Sequence, residues 1–137
     1  VQAQTVWVAT NSGGAVTGFY VNAAPAPKAL WASALASGIS ITSTGTPALN
    51  AIYAMTPQAQ NSAAGIAASI ASGQGLPHGA DTINWPDVAG GLHAFNSVQF
   101  VAFADAIRNY VYDLGVAEAI LSAGGTAAWP SSSATIP

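Results

Sequence analysis

Seven apolar residues in the last third of the chain, Phe100, Phe103, Ile107, Tyr110, Leu114, Ala117 and Leu121, recur at alternating intervals of three and four. That spacing lines them up on one side of an α-helix. It predicts a helix from about 97 to 122, on the order of 38 Å long. Asn96 or Ser97 is its expected cap, and Gly124-Gly125 its stop. Such a stripe must be covered, either by the protein's own strands or by other copies of itself. Val98, Val101, Ala104 and Val111 widen the apolar set beyond a strict two-stranded seam. The expectation is therefore a helix clasped between its own domain's sheet and a neighbouring subunit, with Phe100, Phe103, Ile107, Tyr110, Leu114 and Leu121 as the packing or oligomer seam.

Composition narrows the functional classes. Only 5% of the 137 residues are charged, against roughly 25% in ordinary soluble proteins. Lys28 and Arg108 are the only basic side chains, too few to neutralise a run of phosphates, so nucleic-acid binding is not expected. The net charge of -3 implies no cationic partner. A surface with so little charge gives weak colloidal repulsion, which suits a subunit held in a permanent assembly. Cysteine is absent, which removes thiol catalysis, thiolate metal sites and disulfides. Asp105, Arg108, Asn109 and Asp113 interrupt the most apolar stretch, so no membrane span is expected.

Three regions follow from local pattern. Residues 1–27 read as an amino-terminal β-hairpin and a proline-containing linker. Its strands are Thr5 to Thr10 and Val16 to Val21, around the turn cluster Asn11-Ser12-Gly13-Gly14. Alternation along those strands groups Trp7 with Phe19 and Val21 on one face, and Val6 and Val8 with Tyr20 on the other. Trp7, Phe19 and Tyr20 are the candidate interaction residues of this hairpin.

Residues 28–123 form the main α+β domain. A short helix is expected near 28–37, ended by Gly38, then a strand at Ile39 to Ser43 and another within Leu49 to Met55. Thr56-Pro57 opens a helix to about Ser72, with a stripe of mostly small residues that favours close packing. A second hairpin follows. If Val88-Ala89-Gly90 is its loop, Trp85 lies opposite His93 and Ile83 opposite Phe95, and all four side chains share one face. His93 is then expected to stack on Trp85 and to find a hydrogen-bond partner at the hairpin. Residues 124–137, with Trp129-Pro130 and three consecutive serines, read as a tail too polar and proline-bounded to be a core element, extended or peripheral.

The ordered motifs Trp31 to Ser43, Thr44 to Asn50 with Tyr53-Ala54, Gln58-Ala59-Gln60-Asn61, Gly75-Leu76-Pro77, Trp85-Pro86-Asp87, His93-Ala94-Phe95, Phe100 to Ala104 and Tyr110-Val111 extend this reading. Together, over about Leu30 to Leu121, they resemble a domain of unknown function found in the tail proteins of tailed bacteriophages and prophages. The resemblance implies a virion component of the tail tip, baseplate or fibre, or a fibre-assembly protein. It supplies no active-site residues.

Asp87, His93 and any serine could be drawn as a triad, but no nucleophile elbow accompanies them. His78 and His93 would need a third ligand such as Asp81 or Asp87 to hold a metal. The pairs Asp105 with Asp113 and Asp81 with Asp87 lie in no recognisable cleft pattern. Trp7, Trp31, Trp85 and Trp129 offer sugar-stacking surfaces.

The expectation is thus an α+β protein with an antiparallel sheet built from both hairpins and the central strands, packed against two main helices at about 56–72 and 97–122. It is expected to have no enzymatic activity and no cofactor, and to be a structural subunit of a phage tail, made in the host cytoplasm and residing in the virion. Its expected partners are other tail proteins and copies of itself. The alternatives are a fibre module that binds host surface glycan, and a fibre-assembly chaperone.

Overall fold

The fold is described from a computed structural model, which covers residues 26–137 and the backbone of two strands, 6–10 and 16–21. The expected turn at residues 11–14 and the first part of the linker, residues 22–25, lie outside the described residues.

Strands β1 (Val6–Thr10) and β2 (Val16–Val21) pair antiparallel, as expected. Their register is different. Trp7 lies opposite Tyr20, Val8 opposite Phe19 and Val6 opposite Val21. The expected grouping of Trp7 with Phe19 and Val21 is therefore corrected. Thr10 pairs with Val16 but Ala9 pairs with Gly18, so β2 carries one extra residue at this irregularity, which exchanges the alternation of one strand relative to the other.

Helix α1 (Pro27–Ser37) begins on a proline, whose missing N–H costs nothing at the first helical position. Gly38 then turns the chain directly into β3 (Ile39–Ser43), with φ 80° and ψ -171°. Only glycine adopts that backbone readily, and a Cβ there would run into the Tyr53 carbonyl oxygen on the neighbouring strand. We expect Gly38→Ala to destabilise the fold by about 3 kcal/mol, measured as a lowered midpoint in urea unfolding; an unchanged midpoint would show that the α1–β3 corner can relax.

The chain next makes a 3₁₀ turn at Pro47–Leu49 and then β4 (Ala51–Tyr53), which pairs antiparallel with β3. The expected strand from Leu49 to Met55 is thus shortened, because Pro47 favours the helical turn and Leu49 enters the core through it. The buried Tyr53 hydroxyl donates to the Leu49 carbonyl at 2.7 Å, which braces the turn against the strand. Helix α2 (Pro57–Ala71) opens as expected, with the Thr56 hydroxyl accepting from the Ala59 N–H at 3.1 Å. Its Ala63 is buried and Ile66, Ala67 and Ile70 are half-buried against the core, so the stripe of small residues brings α2 close to the last helix.

Strands β5 (Thr82–Pro86) and β6 (Leu92–Asn96) form the second hairpin in the expected register, with Trp85 opposite His93 and Ile83 opposite Phe95. Helix α3 (Ser97–Ser122) follows without a linker. Its start is a reciprocal cap: Asn96 Oδ1 accepts from the Gln99 N–H at 2.9 Å, and Gln99 Oε1 accepts from the Asn96 N–H at 3.1 Å. The Gln99 amide also donates to Thr46 Oγ1 at 2.8 Å, tying the helix start to the loop before β4.

The chain ends in β7 (Ser133–Ile136), which runs parallel to β3. The segment is extended, as expected, but the expectation that it contributes no core element is corrected, because Ile136 is buried with the core. The expected single sheet is corrected as well. Among the described residues there are three small sheets: the β1–β2 hairpin, the β5–β6 hairpin, and a three-stranded sheet ordered β4-β3-β7 with β3 at its centre. The α+β class with two main helices stands.

Between these elements lies an aromatic cluster. Tyr53, Trp85, Phe95, Phe100 and Phe103 make edge-on or tilted contacts with ring centroids 5.0 to 6.0 Å apart, geometries that suit the ring quadrupoles. The helical stripe supplies the remainder. Phe100, Phe103, Ile107, Tyr110, Leu114 and Ala117 are all buried within one chain, and Leu121 is half-buried.

Candidate functional site

The most organised polar arrangement lies where the β5–β6 hairpin meets the Pro47–Leu49 turn. Asp87 opens the three-residue loop Val88-Ala89-Gly90, closed by the Asp87 N–H donating to the Gly91 carbonyl at 2.8 Å. Gly90 has a φ of 87°, the left-handed residue that this turn requires. Asp87 Oδ1 accepts from the N–H groups of both Ala89 and Gly91 at 2.8 Å. Gly91 also leaves room for the carboxylate, since a Cβ there would lie 2.7 Å from Asp87 Oδ2.

That second oxygen, Oδ2, is 2.7 Å from His93 Nε2. The other ring nitrogen, Nδ1, is 2.6 Å from the Ala48 carbonyl oxygen. The site is largely covered, with 17% of the His93 side chain and 14% of the Asp87 side chain exposed. Both ring nitrogens face groups that only accept, so both bonds form together only when both nitrogens carry hydrogen. An imidazolium beside a carboxylate is the state that makes both bonds at once.

The pKa directions agree. The hydrogen bond to Asp87, followed by that to Ala48, holds His93 above its ordinary 6.5, outweighing the opposing effect of desolvation. The bond from His93, followed by the Gly91 N–H, holds Asp87 below 3.8. Beside them the Tyr53 ring stands edge-on to His93, with centroids 5.5 Å apart. Burial first, and the Asp87 charge second, push the Tyr53 phenol up to about 12.

The partner expected for His93 at the hairpin is thus Asp87, but the expected stacking on Trp85 is corrected. His93 packs on Tyr53, while Trp85 packs edge-on against Phe100 and Phe103. The four residues do share the inner face of the hairpin, but the ring of His93 is turned by its two hydrogen bonds toward the Pro47–Leu49 turn.

With both nitrogens engaged, His93 has no ring nitrogen free to activate a hydroxyl, and its partners are a carboxylate and a backbone carbonyl, not a serine. His78 lies in a separate 3₁₀ turn, Pro77–Gly79, with a left-handed φ of 61°. Among the described residues no three His, Asp or Glu side chains gather around a point that could hold a metal ion.

The remaining candidates are dispersed. Asp105 and Asp113 both border an open cleft of about 580 Å³ between α3 and β7, so their pair does face a cleft that the sequence pattern had not suggested. Asp105 is engaged with Arg108 at 3.2 Å. Trp31 is exposed on α1, Trp85 is half-buried against the core, and Trp129 lines a shallow groove with Tyr112, Val116 and Ile120. The side chains of Trp7, Phe19 and Tyr20 lie outside the described residues.

The seam residues are brought together, but inside the protomer. What α3 presents to solvent instead is Tyr112, 70% exposed, with Val116 and Ile120 at 41% and 39%. Sequence reasoning missed this second stripe, although the intervals of four between its members were visible. Another groove, between α2 and α3 and about 490 Å³ in volume, has a floor of alanines with Val101 and Val111. None of the helices is long and apolar enough to cross a membrane, among the described residues. No protein-family model matches this chain, and no curated protein or solved structure matches it.

Proposed function

We propose that the chain is a structural subunit of a bacteriophage virion, a component of the tail tip, baseplate or fibre that works by protein–protein assembly. The observation that carries this reading is the outer stripe of α3. Tyr112, Val116 and Ile120 stay exposed after the fold has used the stronger stripe for its own core, on a chain that is only 5% charged. Apolar surface of this kind is commonly closed by a neighbour. The ordered motifs from Trp31 to Val111, with their resemblance to phage tail domains, supply the biological setting.

Glycan binding by a fibre module is the second reading, favoured by Trp129 beside Tyr112 in an open groove. Particle composition tests the assembly reading. The chain should be found at stoichiometric level in purified virions by mass spectrometry, and Val116→Asp with Ile120→Asp should leave it folded but exclude it from particles. Its absence from virions would refute a structural role and leave the fibre-assembly chaperone. Normal incorporation of the double variant would remove the α3 stripe as the assembly surface.

A further inference from the structure

We propose that His93 and Asp87 form a pH-operated latch, which fastens the β5–β6 hairpin turn to the Pro47–Leu49 turn while His93 is an imidazolium and releases it when the ring loses a proton. The latch joins segments distant in sequence, because His93 reaches both the Asp87 carboxylate on its own hairpin and the Ala48 carbonyl 45 residues earlier. A backbone bond adjoins it, from the Val88 N–H in the hairpin loop to the Ile52 carbonyl on β4 at 2.9 Å. Around this junction Ile52, Val88 and Leu92 are exposed, so the latch governs how an apolar end of the molecule is presented.

The geometry dictates the direction. A neutral imidazole has one N–H and one lone pair. Whichever nitrogen loses its hydrogen then faces an oxygen lone pair at 2.6 or 2.7 Å, a contact that repels. Because His93 is held above 6.5, the latch is fully formed below about that value and is lost as pH rises through the higher folded-state value. Because Asp87 is held below 3.8, its contribution is present above that value and is lost as pH falls through the lower one.

Few other groups face the ring. Asp87 comes from its own hairpin. Tyr53 comes from β4, its phenol uncharged over this range with a pKa of about 12. The Pro47–Leu49 turn contributes the Ala48 carbonyl. Among the described residues Asp87 makes the only ion pair with His93.

Asp87→Asn should invert the response. An asparagine Oδ1 would keep the two turn bonds to Ala89 and Gly91. Its Nδ2 would stand where Oδ2 was and donate to Nε2, so a neutral ring bearing its hydrogen on Nδ1 satisfies every partner. The test is imidazole nitrogen shifts of His93 with amide exchange protection of Val88, Ala89 and Gly91, from about pH 5 to about pH 9, using α3 core amides as reference.

In the unsubstituted chain both ring nitrogens should be protonated at the acid end. Hairpin protection should then fall at least about threefold as His93 titrates, while the reference amides hold. In D87N protection should rise over the same interval. A singly protonated ring at the acid end, or the same pH trend in both chains, overturns the proposal. Hairpin protection in the unsubstituted chain decides it even if D87N fails to fold: protection that stays constant while His93 titrates overturns the proposal.

Discussion

Replacing Ile107 and Leu114 together with aspartate is expected to abolish cooperative folding, observed as loss of near-ultraviolet circular dichroism and of a denaturant transition. Leu114 is fully buried and Ile107 is 3% exposed. Both belong to the cluster that joins α3 to the β4-β3-β7 sheet and to α2. An unpaired carboxylate at such a site costs several kcal/mol or takes up a proton, so two exceed a large part of the roughly 5–15 kcal/mol that holds a domain together. The same change made at Tyr112 and Val116, on the opposite side of the same helix, should leave the transition within about 1 kcal/mol. A folded I107D/L114D protein would mean that the stripe is not the core. The contrast between the two double variants separates the inward stripe from the outward one.

Ile136→Asp is expected to have the next largest effect, lowering stability by about 4 kcal/mol or more. Ile136 is 3% exposed, and its carbonyl accepts from the Thr44 N–H at 3.0 Å. One residue further on, the Pro137 carbonyl accepts from the buried Ser43 hydroxyl at 2.6 Å. Thr135, its exposed neighbour on β7, should accept aspartate within about 1 kcal/mol. Equal effects at the two positions, in chemical denaturation, would mean that β7 does not dock on β3. A peripheral tail would tolerate both changes.

These two cases mark where the sequence was legible and where it was not. The stripe of α3 announced its own helix, since a 3.6-residue period is written in apolar spacing. The hairpin register was legible for a related reason, because a slip of one residue would have turned Phe95 and Ile83 outward. Asn96 and Thr56 announced their caps through short-range hydrogen bonds that need no tertiary context. In β1 and β2 both alternating sets are apolar, so either grouping satisfies the pattern, and the irregularity at Ala9 and Thr10 decided the register.

The candidate site was half-legible. Proximity of Asp87 to His93 followed from the hairpin register, but the Ala48 carbonyl lies 45 residues away and carries no side-chain signature. Without that second acceptor the ring has a free nitrogen, and only Asp87 favours its charged state.

By itself, the sequence determined the helices, the turns, the inner face of the β5–β6 hairpin and the shortage of surface charge, all of which depend on residues within a few positions of one another. Only the tertiary structure decided that the long stripe is spent inside the protomer, that Ser133–Ile136 completes a sheet beside β3, and that His93 is held between two acceptors. Periodicity says that an apolar face will be covered. What covers it depends on long-range packing, and a parallel strand pair or a backbone carbonyl leaves no local pattern from which to read it.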